Sequence, residues 1–146
     1  MRGVVAGLTV ALLLPLAACG GDSTDAYCRD LESNRKQIAD MIGSGSPAAL
    51  LDGLPVLREL ADQSPDDLAD EWQAYVGALE GLDDALKEAG VEAGDFEDGK
   101  PPAGLSAADQ KSIADAASQI ATPEVVEAST GIEQQARDVC KVNLGL

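Results

Sequence analysis

The stretch SPDDLADEWQAYVGALEGLDDALKEAG, residues 64–90, decides the fold class. Leu68, Trp72, Tyr75, Val76, Leu79, Leu82 and Leu86 recur at intervals of three and four, which puts them on one face of an α-helix. Ser64-Pro65-Asp66-Asp67 reads as its start. The serine serves as N-cap, the proline sits where a missing N–H costs nothing, and the two acids face the positive end of the helix dipole. Gly90 supplies the stop, because glycine takes the left-handed conformation in which helices often end.

Working outward, the same signals repeat on both sides. Residues 91–105 are acidic and rich in Gly and Pro, and read as loop. Ser106-Ala107-Ala108-Asp109 resembles a capping box and opens a helix with Ile113, Ala117 and Ile120 inward. Thr122-Pro123 caps the last helix, whose inward stripe is Val125, Ser129, Ile132, Ala136, Val139 and Cys140. On the N-terminal side, Ser46-Pro47 starts a segment with Leu50, Leu51, Leu54, Leu57, Leu60 and Ala61 inward. Gly53-Leu54-Pro55 interrupts it, so a kinked or split helix is expected. The first helix is expected over Asp25–Ile42, with Thr24 as N-cap and Tyr27, Leu31, Ile38, Met41 and Ile42 inward; Gly43-Ser44-Gly45 ends it. No segment alternates with the period of a strand. The expectation is an all-α bundle of four or five helices over residues 25–146.

The first 24 residues read differently. One positive charge, Arg2, precedes an uncharged apolar run from Val4 to Leu14, too short to span a bilayer comfortably and followed by small residues. Leu16-Ala17-Ala18-Cys19 then resembles the lipobox of bacterial lipoproteins. The resemblance implies that residues 1–18 are a cleaved signal peptide and that Cys19 carries diacylglycerol and palmitate-type acyl chains. Residues 19–24 would be a lipidated tether, and the domain would sit on the extracytoplasmic face of the cell membrane. The remainder resembles the small, acidic, helical lipoproteins of high-GC Gram-positive bacteria, a likeness that implies no particular activity.

There are three cysteines, and lipidation of Cys19 leaves Cys28 and Cys140. An exported chain meets an oxidising compartment, where two such thiols pair; two separate free thiols are the alternative. The bridge would close a loop of 113 residues, counting Cys28 through Cys140. A loop of that size stabilises by roughly 4–5 kcal/mol in the chain-entropy model. Bridged Cα atoms lie within about 7 Å, so the end of the last helix must return to the start of the first. Five helices alternating up and down would leave those ends apart, so one connection crosses the bundle, with the loop at 91–105 the natural crossover, or one helix lies across it.

Composition narrows the function classes. The chain carries 26 acidic and 10 basic residues, a net charge of −16, and loses a further positive charge with Arg2. Nucleic acid and anionic lipid are therefore poor partners, while a basic protein or another cation is a favoured one. The chain has no histidine, and with Cys28 and Cys140 paired it has no catalytic thiol. The usual hydrolase triads and zinc sites are thereby removed. Ser33-Asn34-Arg35-Lys36 has the Ser-x-x-Lys spacing of penicillin-binding enzymes but none of their companion motifs. Acid pairs such as Asp83 with Asp84, or Asp66 with Asp70, have ordinary helical spacing, and Trp72 lies on the buried stripe rather than on a sugar platform. No enzymatic activity and no cofactor are expected.

The candidate sites are accordingly acidic. Glu80, Asp84 and Glu88 lie at successive i, i+4 steps on the face of the long helix opposite its apolar stripe, beside Gly77 and Gly81. Like charges at that spacing cost a few tenths of a kcal/mol each, and each glycine up to ~1 kcal/mol, so a partner-binding face is one reading. Glu92, Asp95, Glu97 and Asp98 place four acids within seven residues of the loop, suitable donors for calcium but without EF-hand spacing, which fails at Gly99 and Ser106. Asn34, between Leu31 and Ile38 on the inward stripe, is either a satisfied amide or a ligand contact. Phe96 is expected to pin the loop to the bundle, with partner binding as the alternative. These features suggest an anchored binding or interaction module, or else a carrier of a small molecule or cation using the bundle interior or the loop at 91–105.

Overall fold

The computed structural model describes residues 21–96 and 100–145. The expected signal peptide, Cys19, Glu97 and Asp98 lie outside those residues. The described chain folds into six α-helices without a β-strand: α1 Gly21–Gly43, α2 Pro47–Asp52, α3 Leu54–Asp62, α4 Ala69–Ala89, α5 Ala107–Ile120 and α6 Pro123–Asp138. Single 3-10 turns at Asp66–Leu68 and Ala93–Asp95 flank α4. The all-α bundle stands, and the bridge joins Cys28 in α1 to Cys140 just beyond α6, with Cα atoms 5.0 Å apart.

Several boundaries differ from expectation. Residues Gly21 to Thr24, read as tether with Thr24 as a cap, are already helical in α1. The Gly53 segment is fully split into α2 and α3. Pro55, in the first turn of α3, has no N–H to offer Leu51 O and breaks the ladder there, while a Cβ at Gly53 would lie 1.6 Å from Met41 Sδ, so α1 crosses the junction where only hydrogen fits. The serine and threonine caps also behave unequally. Ser106 Oγ accepts the Asp109 N–H at 3.1 Å, as a capping box requires, whereas Ser46 and Thr122 make no side-chain cap bond. Gly90 ends α4 in the left-handed conformation at φ 69°, and the Val91 N–H closes back on Leu86 O at 3.1 Å.

The six helices make four passes. α1 starts beside Trp72, whose Nε1 donates to the Tyr27 hydroxyl at 2.9 Å. α2 and α3 return antiparallel to α4, since Leu51 shares a hollow with Leu86, Arg58 pairs with Glu80, and Ala61 lies near Ala69. α5 and α6 then run in one sense, end to end. Ile113 clusters with Leu82 and Leu86, Ile120 packs on both core clusters, and Gly131 lies against Glu71. Four passes bring first and last ends together, so the crossover expected at 91–105 is not needed. That loop is the reversal between α4 and α5, and the parity is solved because α5 and α6 form one broken pass.

Two clusters fill the interior. The larger gathers Tyr27, Leu31, Leu60, Trp72, Leu79 and Ile132, among others, from α1, α3, α4 and α6. The smaller holds Leu82, Ala85, Leu86 and Ile113, with Val91, Phe96 and Leu105 packed on its rim. Each fully buried Leu or Ile contributes roughly 1.5–3 kcal/mol relative to exposure, so the larger cluster dominates the stability. Three inward assignments are corrected and one residue is added. Val139 is 54% exposed, Ala117 is exposed and Ser129 is only half-buried, whereas Ala128 faces the core. Past α6, Val142 and Leu144 turn back into the core at 3% and 1% exposure. The Val142 N–H bonded to Ala136 O at 2.9 Å fixes that return.

Candidate functional site

The acidic stripe on α4 is partly answered from within the chain. Glu80 Oε1 receives the Arg58 Nε–H from α3 at 2.6 Å, and this bond holds the guanidinium more firmly protonated than usual. Asp83 accepts from Lys87 one turn on, at 2.5 Å. Asp84 and Glu88 are exposed and in no ion pair among the described residues. Gly77 and Gly81 face open space, so no packing neighbour demands them. The three stripe acids thus share a helix face, but Glu80 is already engaged.

The acidic loop is also occupied with its own backbone. Glu92 caps the 3-10 turn: its N–H donates to Asp95 Oδ2 at 2.8 Å, and its side chain accepts from the Asp95 backbone. A calcium ligand set is not brought together by these two. Among the described residues no three His, Cys, Asp or Glu side chains converge as metal ligands. Asn34 donates its amide to Asp30 O at 2.9 Å, one turn back, so it is a satisfied amide. Ser33 and Lys36 turn to separate neighbours, Arg29 O and Asp40, which dissolves the Ser-x-x-Lys pattern.

A different place emerges at the C-terminal end of α4. The groove between α2, α4 and α5, bordered on one side by Ala93, Phe96 and Pro101, forms a hollow of about 530 Å³. Leu82, Leu86, Ile113 and Phe96 provide its apolar wall, and Pro47 and Ala114 its rim. Its cause is the composition of α5. That helix buries one side chain fully, Ile113, and otherwise presents alanines too small to fill the space before Leu82 and Leu86. The signal available in the sequence was this run of alanines (107, 108, 114, 116 and 117), which reads as good helix and poor core. Phe96, as expected, packs the loop against the bundle, and in doing so walls the hollow.

At the other end, Tyr27, Trp72 and Tyr75 form an edge-to-face series with ring centroids 6.4 and 6.5 Å apart. Burial raises the Tyr27 phenol to about 12, the hydrogen bond from Trp72 pulling slightly the other way. These rings are buried in the core. No helix among the described residues is long and apolar enough to cross a membrane. No protein-family model, curated protein or solved structure matches this chain.

Proposed function

We propose that the chain is a lipoprotein precursor whose domain, anchored through Cys19 on the extracytoplasmic face of a membrane, is a binding module for a small organic molecule held in the α2–α4–α5 hollow. Leu16-Ala17-Ala18-Cys19, closing an uncharged apolar run, carries the anchoring. A bridge between the two remaining cysteines suits the oxidising side of a membrane. The hollow carries the binding, since about 530 Å³ with a mainly apolar wall lies in the usual range of small-molecule sites.

The arrangement is coherent with an anchor. Cys28 follows Cys19 closely in the chain, so the lipid would hold the bridged end at the headgroups. α1 has 23 residues, and at 1.5 Å per residue it sets the opposite end about 35 Å further out. The hollow is at that outer end. A second reading keeps the exposed Asp84 and Glu88, with Glu80, as a docking face for a basic protein, drawn by the net charge of −16.

Cys19→Ala tests the anchor: acyl labelling is lost and the protein leaves the membrane fraction. Full retention on membranes by the variant places the anchor elsewhere and sinks the reading. Glu80→Lys, Asp84→Lys and Glu88→Lys together test the second reading. A basic protein captured equally by parent and variant, at low and high salt alike, removes the acidic face from consideration.

A further inference from the structure

The apolar hollow adjoins a second one, and the two meet over Ala48, Leu86 and Ala93. The second, about 370 Å³, is bordered by three carboxylates, Asp52, Asp83 and Glu92, and by one base, Lys87. That base is taken by Asp83 at 2.5 Å, so the negative charge of Asp52 and Glu92 is left over. Glu92 spends its oxygens on a backbone N–H, which leaves its charge in place. An apolar seat therefore opens directly beside a surplus of carboxylate.

We propose that the paired hollows bind a small cationic amphiphile, with an alkyl or aryl group against Leu82, Leu86 and Ile113 and an ammonium or amidinium facing Asp52 and Glu92. This rests on the binding-module reading above and names the ligand class. The charge argument excludes the obvious competitor. A fatty carboxylate would place a like charge beside three acids in a chain of net charge −16, a repulsive arrangement in both the encounter and the bound state. The scale suits a small molecule: twelve residues line the apolar hollow that seats the alkyl or aryl group, fewer than the about 20–30 on each side of a standard protein interface. Val126 and Val139, the large apolar side chains exposed among the described residues, are not among its lining, so no apolar surround extends it.

The test is calorimetric titration of the full chain in zwitterionic nanodiscs, with empty nanodiscs subtracted, using octylammonium, octanol and octanoate. These share one chain length and differ in charge. Octylammonium is expected to bind about tenfold more tightly than octanol, with octanoate weakest, and 0.5 M salt should narrow the gap. Ala114→Trp fills the apolar hollow from an exposed rim position and should weaken octylammonium at least about tenfold. Asp52→Lys should remove the preference over octanol while octanol binding stays. An unchanged melting profile by circular dichroism certifies that each variant is folded, and Ala117→Trp replaces Ala114→Trp if that one is not. Octanol bound as tightly as octylammonium, and lost with Ala114→Trp, overturns the cationic class but leaves the binding module standing. Absence of binding by all three probes, or binding indifferent to both groove-filling variants, overturns the two together.

Discussion

The two ends of α4 are built differently. Around Trp72 the chain closes on itself with a disulfide, a buried hydrogen bond between two aromatic side chains, and the returning Val142 and Leu144. Around Leu86 the cover is an alanine-rich helix with one fully buried side chain, plus a loop pinned by a half-buried Phe96. The first end buries Trp72 almost completely, and the hollow of about 470 Å³ beside it is bordered by Arg58, Asp62 and Glu80. The second end lacks the side-chain volume to finish its own core, and its hollow follows from that deficit. Stability and a potential binding surface are thus separated along one helix, as expected when local opening is confined to the less densely packed elements.

The bridge should have the largest effect. Reducing it, or replacing Cys28 and Cys140 by serine, is expected to lower unfolding free energy by about 3–5 kcal/mol in denaturant titration. A loss below about 1 kcal/mol would show that the bridged end is not the stronger one. Alkali attacks the same end through Tyr27. Its pKa in the fold, about 12, lies above the ordinary 10.0, so its stabilising effect is complete below pH 10 and is lost as pH rises through 12. The expected loss is about 2–3 kcal/mol at the upper limit. Tyr27→Phe should flatten that alkaline limb while lowering neutral-pH stability by about 1–2 kcal/mol, because the indole N–H of Trp72 is left without its partner.

Changes at the other end should be smaller and local. Ile113→Ala is expected to cost about 2 kcal/mol, with faster amide exchange in α5 and residues 91–105 but not around Tyr27 and Ile132. Uniform acceleration would mean that the two clusters unfold as one. Least of all, Arg58→Ala removes a pair whose side chains are 45% and 41% exposed, and denaturant titration should register under about 1 kcal/mol. If that variant lowers stability by more, the link between α3 and α4 carries weight that the two-cluster description assigns to burial.

The sequence by itself determined the helices and most of their inward faces, because 3.6-residue periodicity and capping residues are local properties that need no partner to be read. Leu68 through Leu86 and the capping box at Ser106 were legible for that reason. Cysteine arithmetic likewise yielded the Cys28–Cys140 pair. The direction of each helix relative to its neighbours was not legible. Whether α5 and α6 fold back on each other or continue in line depends on which part of α4 each buries, and the two-residue link at Ala121 and Thr122 permits either. For the same reason the charge stripe at Glu80 looked free until α3 brought Arg58 beside it, from 22 residues away. The hollow belongs to this second category. Alanines at 114 and 117 have the same helical propensity wherever they lie, and only the distance between packed backbones, fixed by Ile113, Phe96 and the helices around them, decides that space remains in front of Leu82 and Leu86.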